Sequence, residues 1–185
     1  MHTLPHDVNI IISNNLSGKD VISFIKTCKN INRIKNKILY DIRVPVDSIK
    51  RLSYFNNFTN VVANNTVAVL PTLVTHLTFD DYFNELMPPN FVPRTVTHLT
   101  FGRDFNVSIR GCVPDSVTHL VFGFYFNKPF DLPDSVVDLT LGRCFDLIIM
   151  DLPKSVKTIR VNHLRSIIVA KEVKSQVQLI RIPSL

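Results

Sequence analysis

His76, His98 and His119 recur at intervals of 22 and 21 residues, each directly behind a threonine and ahead of a leucine. Imidazoles titrate near neutral pH, so three of them in register could bind a metal or move protons. A metal site needs ligands that converge and a second shell that orients them. Recurrence in one slot instead sets the rings side by side, with no carboxylate among the three, as a surface ladder. Cys28, Cys112 and Cys144 are far apart with no CxxC pair, which supports neither a disulfide framework nor a zinc cluster. No Ser-His-Asp order, P-loop, HExxH or glycine-rich phosphate loop occurs. The expectation is a binding protein rather than an enzyme, with no catalytic residue, no metal and no cofactor.

A second chemistry is suggested by Lys26, Lys29, Arg33, Lys35 and Lys37, which crowd into twelve residues of a chain with formal charge +6 and pI near 9.4. Such a cluster could contact nucleic acid, but a solvated helix face explains it with fewer assumptions. Residues 1–43 hold seven Lys/Arg against three Asp, and residues 44–185 hold fourteen against twelve acidic residues. No apolar run approaches the roughly 20 residues that span a bilayer. Met1-His2-Thr3-Leu4-Pro5 lacks the basic and apolar regions of a secretory leader. A cytoplasmic protein with no membrane partner is expected.

The elements that must position the histidines are repeats. PTLVTHLTFDDYFN begins at Pro71, PRTVTHLTFGRDFN at Pro93, PDSVTHLVFGFYFN at Pro114, PDSVVDLTLGRCFD at Pro133 and a decayed PKSVKTIRVNHLRS at Pro153. Weaker copies begin at Val46 (VDSIKRLSYFNNFT) and Lys174 (KSQVQLIRI), which makes seven units. In each, apolar residues alternate: Leu77 and Phe79, Leu99 and Phe101, Leu120 and Phe122, Leu139 and Leu141, Ile159 and Val161. Alternation predicts a short strand with every second side chain inward. A glycine follows at Gly102, Gly123 and Gly142, where a sharp turn is expected. A second phenylalanine then returns inward at Phe58, Phe83, Phe105, Phe126 and Phe145. One strand and one return per unit is the grammar of a solenoid with a single parallel sheet, and the phenylalanines read as its spine.

The central units, through Leu99 to Phe105-Asn106 and Leu120 to Phe126-Asn127, resemble the FNIP repeat. This is a leucine-rich-repeat-like unit of about 22 residues found in amoebae and their giant viruses. The likeness covers residues 45 to 185 and departs at Asp80 and Asn162, which stand where glycine is usual. It implies a protein-binding solenoid.

Ahead of the repeats the period becomes helical. Pro5 and Asp7 suit a helix start, with Val8, Ile11 and Ile12 on one face. Ser17 and Asp20 form a capping-box variant before Val21, Phe24, Ile25 and Cys28. A third helix is expected from Asn30 to Asp41. Three short helices carry more apolar surface than they can hide among themselves, so a partner is implied. The order Leu4-Pro5, Asp7-Val8, Ile11-Ile12, Leu16, Asp20-Val21, Phe24-Ile25, Cys28-Lys29 and Ile31 resembles the F-box, with Ile31 where tryptophan is usual. That resemblance implies binding to a Skp-type adaptor of a cullin ubiquitin ligase through Leu4, Pro5, Val8, Ile11, Ile12, Val21, Phe24 and Ile25. The ligase would be the host's for a viral copy.

The expectation is therefore an α+β chain, with a three-helix F-box over 1–43 and a leucine-rich-repeat-like solenoid of about seven coils over 44–185. It would act as a substrate receptor for an unidentified target. Outward strand positions supply the candidate target surface: Ser53, Thr78, Thr100, Val121, Thr140, Arg160 and Arg181 in one column. Arg51, His76, His98, His119, Asp138, Thr158 and Leu179 form the other. Arg160 and Arg181, one strand spacing apart, would repel unless an anion lay between them. The C-terminal half is thus expected to receive an acidic or phosphorylated segment.

Overall fold

The computed structural model describes residues 20, 22–23, 35–37, 39–65, 69–162 and 169–182. Eight strands form one sheet in sequence order, every pair parallel. They are β1 (Val44–Pro45), β2 (Asn60–Ala63), β3 (His76–Phe79), β4 (His98–Thr100), β5 (His119–Val121), β6 (Asp138–Leu141), β7 (Thr158–Val161) and β8 (Gln178–Arg181). Registers run His76↔His98↔His119↔Asp138↔Thr158 and Leu77↔Leu99↔Leu120↔Leu139↔Ile159. The five predicted inward pairs are all buried. Helix among the described residues is confined to short pieces, including Val46–Ile49 and Lys171–Gln176.

The core is a double column of rings. Phe79, Phe101 and Phe122 stack at 5.3 and 5.6 Å between centroids, and Phe83, Phe105, Phe126 and Phe145 at 6.0, 6.0 and 6.3 Å. Within a coil the two columns touch at about 4 Å, as in Phe101–Phe105 at 4.0 Å. Each buried ring removes apolar area worth about 1.5 to 3 kcal/mol, and the coil period sets the next ring at the same depth.

Glycine follows the strands for a reason other than turn geometry. Gly102, Gly123 and Gly142 have ordinary φ values, since Gly111 is the positive-φ glycine. A Cβ on Gly123 would overlap the carbonyl of Gly102, and one on Gly142 the carbonyl of Gly123. Successive coils approach here backbone to backbone, so a side chain has no room. Asp80 stands at the head of this column, and a Cβ on Gly102 would overlap its carbonyl.

The asparagine after each returning phenylalanine also links coils. The N–H of Asn106 donates to Oδ1 of Asn84 at 2.9 Å, and that of Asn127 to Oδ1 of Asn106 at 2.9 Å. Asn127 in turn accepts from the Asp146 N–H at 3.3 Å and donates through Nδ2 to the Asp146 carboxylate at 2.7 Å. The amide oxygen supplies an acceptor to an irregular backbone that has no ladder partner. Ser116 and Ser135 serve likewise at the other strand end, each hydroxyl donating to a carbonyl of the preceding coil at 2.7 Å.

The ends of the sheet depart from the sequence expectation. The unit starting at Val46 supplies no strand: Val46–Ile49 is a helical turn with Val46 and Ile49 buried. Leu52, Phe55 and Asn57 then close successive turn bonds. The neighbouring strands are β1 and β2, which brings the sheet to eight strands rather than seven. Phe58 lies two residues ahead of β2, level with Val74 by the register of Asn60 with His76, so it is buried but outside the phenylalanine columns. It stacks instead on Tyr40 at 4.9 Å. The helix expected to run to Asp41 does not reach it, since Lys35–Lys37 is a 3-10 turn and Leu39 to Asp41 are not helical. Tyr40 already belongs to the coil stack, its N–H donating to Asn57 O at 2.8 Å and its carbonyl accepting from Thr59 N–H at 3.1 Å.

Candidate functional site

The open face of the sheet carries the side chains that alternate with the buried ones. His76, His98 and His119 lie there in register, stacked at 4.2 Å between centroids with interplanar angles of 16° and 9°. Each ring is oriented by the preceding threonine. Oγ1 of Thr75, Thr97 and Thr118 is 3.0, 2.9 and 2.8 Å from Nδ1 of its neighbouring histidine.

The threonine hydroxyls also lie 3.2 to 3.3 Å from carbonyls of the preceding coil. Those carbonyls already accept two backbone N–H groups each; Thr97 O, for example, takes Thr118 N–H at 2.9 Å and His119 N–H at 3.1 Å. Each hydroxyl thus sits between the Nδ1 of its own histidine and a carbonyl of the preceding coil, which fixes the edge that the ring turns to the strand.

His119 Nε2 is 3.1 Å from Asp138 Oδ2, and Arg160 Nη1 is 2.9 Å from Asp138 Oδ1. A carboxylate thus closes the ladder, because Asp138 occupies the histidine slot of the next coil, where the sequence column placed it. His98, between two rings, has its pKa held below the ordinary 6.5, first by burial and then by the like charge that His76 and His119 would carry. Among the described residues no group of three or more His, Cys, Asp or Glu is arranged to hold a metal ion.

The second column places Thr78, Thr100, Val121, Thr140 and Arg160 in register as expected. Four other assignments change. Arg51 and Ser53 lie in the turns after the Val46–Ile49 helix and off the sheet, where β2 puts Asn60 and Val62 opposite His76 and Thr78. Arg181 is opposite Val161, and Ile180 is opposite Arg160. Leu179 likewise faces Ile159, on the inward column, while Gln178 takes the place opposite Thr158. A one-residue slip exchanges the two faces of a strand. Here it is set by the Lys171–Gln176 helix, which buries Val173 and whose last residue donates to Pro153 O and Val156 O at 2.7 and 3.3 Å. The expected Arg160–Arg181 pair therefore does not form, and Arg160 has its counter-charge in Asp138.

Beside these columns, at the C-terminal ends of the strands, runs a groove of about 630 Å³. Thr78, Thr100, Val121 and Thr140 form its floor, and the residues after the glycine column form a wall. On that wall Phe124 lies between two arginines, with the Arg103 guanidinium 5.6 Å and the Arg143 guanidinium 6.0 Å from its ring centre. Sequence comparison of the units passes over this position because the units differ there: Asp81, Arg103, Phe124 and Arg143.

Leu4, Pro5, Val8, Ile11, Ile12, Val21, Phe24 and Ile25 lie outside the described residues, as do Cys28, Lys26, Lys29 and Arg33. No described helix is long and apolar enough to cross a membrane.

Residues 66–104 and 105–144 match the FNIP Repeat family profile. Over 146 residues the chain is 31% identical to an FNIP repeat-containing protein of Acanthamoeba polyphaga mimivirus, a match covering 71% of this chain and 37% of that one. The chain thus spans little more than a third of that relative's length. The crystal structure of CroV588, described as a novel circular LRR protein structure, aligns at 31% identity with a TM-score of 0.44 over 57% of this chain and 21% of that one. The phenylalanine columns, glycine contacts and asparagine links within 66–144 all fall in these matched repeats, and the chain carries FNIP repeats over residues 66–144, built into a parallel β-solenoid.

Proposed function

We propose that the chain is a protein receptor: the solenoid holds a target on the open face of its sheet, and residues 1–43 join it to a Skp-type adaptor of a cullin ubiquitin ligase. The observation that carries the binding role is the continuous in-register face, which crosses eight strands and so extends about 34 Å at the usual strand spacing. Rigid repeats presenting one side-chain column per coil suit an extended polypeptide partner. The ligase role rests on the F-box-like order from Leu4-Pro5 to Phe24-Ile25. The protein acts by bringing two proteins together, in the cytoplasm, without an active site of its own.

Co-purification tests this reading. The full chain is expected to retain a Skp-type adaptor, and the double change Leu4→Ala and Pro5→Ala to lose it while circular dichroism of the sheet is unaltered. Undiminished capture by the double variant would remove the F-box reading and leave a repeat scaffold without a ligase.

A further inference from the structure

The wall of the groove carries two arginines with no carboxylate within 4.0 Å. Among the described residues the cation–carboxylate pairs within that distance are Lys50–Asp47, Arg110–Asp131, His119–Asp138 and Arg160–Asp138, and neither Arg103 nor Arg143 is in one. Both are exposed and both lie over Phe124, while Arg103 also lies 5.6 Å from the Tyr125 ring centre and is hydrogen-bonded to Tyr125. A guanidinium carries five N–H donors, so one that rests on a ring still presents donors to a carboxylate. The stack thus orders two long side chains in advance and reduces the entropy that binding would otherwise cost.

We propose that this groove binds an extended acidic segment of a partner protein, with Arg103 and Arg143 each taking one carboxylate of a pair spaced three residues apart. The spacing follows from the coils. The two arginines occupy the same repeat position two coils apart, about 9.6 Å at the usual strand separation. A polyproline-II segment repeats a side-chain direction every third residue, about 9.3 Å along its axis, whereas a β-strand repeats it every second residue, about 6.7 Å. The floor of Thr78, Thr100, Val121 and Thr140 is uncharged and small enough to admit a backbone, with three hydroxyls to bond it.

The acidic residues that line the groove are engaged. Asp80 Oδ1 accepts the Tyr82 N–H at 3.2 Å, and Asp81, one coil ahead of Arg103, accepts the Arg103 N–H through Oδ1 at 3.1 Å. From Arg103 to Arg143 the lining holds no carboxylate. A single-stranded nucleic acid would also bring anions, but it binds by stacking bases on aromatic faces, and here the Phe124 ring is already engaged by two guanidinium groups.

This proposal rests on reading the solenoid as a protein-binding surface, and fluorescence anisotropy on the full chain separates the two. The probe is a labelled peptide of four Glu-Pro-Pro repeats, compared with Gln-Pro-Pro repeats and with an oligothymidylate of similar length. The glutamate peptide is expected to bind at least about tenfold more tightly than the glutamine peptide, a difference of about 1.4 kcal/mol. R103E/R143E should abolish the preference, with R103Q/R143Q as the milder pair. F124A should weaken it and F124Y retain it, while R94E, outside the groove, should leave it unchanged. Equal binding of the two peptides, binding undisturbed by the arginine changes, or tighter binding of oligothymidylate would each overturn the proposal. Any of these with adaptor capture intact would leave the receptor reading standing.

Discussion

His98 stacks on His119 with ring centres 4.2 Å apart and planes within 9° of parallel. His76 lies equally close on the other side. Burial of the middle ring, and then the like charge that either neighbour would carry, hold its folded pKa below 6.5. The folded state then binds fewer protons than the unfolded state between that lowered value and 6.5, so stability rises with pH across this window. The contribution is present in full above about pH 6.5 and declines as pH falls through the window. Urea midpoints measured at pH 5 and pH 8 should differ in that sense, and H98Q should reduce the difference. A midpoint independent of pH, or one that increases on acidification, would refute the lowered pKa of His98.

Phe126 lies in the middle of the spine, touching Phe122 at 3.8 Å and Phe105 and Phe145 at 6.0 and 6.3 Å. Phe126→Ala, or Phe105→Ala one coil earlier, is expected to cost about 3 to 5 kcal/mol, because rigid coils on both sides cannot collapse into the space. Chemical denaturation reads the loss directly. A change under about 1 kcal/mol would mean that the ring contributes little to the core.

Two glycines offer opposite tests. Gly123→Ala sets a methyl group against the backbone of Gly102, which cannot move without opening the coil stack. Gly111→Ala meets no atom within 4 Å but must hold φ at +70°. The first should cost at least about 1 to 3 kcal/mol through overpacking. The second should cost about 1 kcal/mol through backbone strain. Melting temperatures in the reverse order would show that turn conformation, rather than coil approach, demands glycine at 123.

The amide column makes a chemical distinction. Asn106 uses Oδ1 to accept the Asn127 N–H, so Asn106→Asp keeps the acceptor, as Asp146 does for Asn127 two coils later in the same column. Asn106→Leu removes it and leaves a part-buried N–H unpaired, at about 1 to 3 kcal/mol. Denaturation of the two variants should rank leucine well below aspartate. Equal losses would assign the column to side-chain packing instead of hydrogen bonding.

Asp138 is shared between His119 and Arg160. Both cationic partners are more than a third exposed, so solvent screens the pairs and Arg160→Ala should cost less than about 1 kcal/mol. A double-mutant cycle of Asp138→Asn with Arg160→Ala, read by chemical denaturation, should give a coupling below about 1 kcal/mol. A larger coupling would mean that the 2.9 Å pair is shielded from solvent.

The inward pairs from Leu77 and Phe79 to Ile159 and Val161 were legible from the chain alone, since alternation repeated at a constant period admits one strand register and one buried face. So were the histidine ladder and the phenylalanine spine from Phe83 to Phe145, which follow once identical units stack. The ends were not legible. Residues 46–59 share the apolar spacing of a unit but bury it through a helical turn and 3-10 geometry, while β2 carries none of the motif residues. At the other end the Lys171–Gln176 helix sets where β8 begins, and one residue of slip moved Leu179 inward and separated Arg181 from Arg160. The remaining surprises share one cause. The Asp138 bridge joins residues 19 and 22 positions from its partners, and the Arg103–Phe124–Arg143 stack forms where the repeats disagree. A repeat pattern reports what every coil must bury, whereas side chains that vary from coil to coil acquire neighbours only when the chain has wound them into one column.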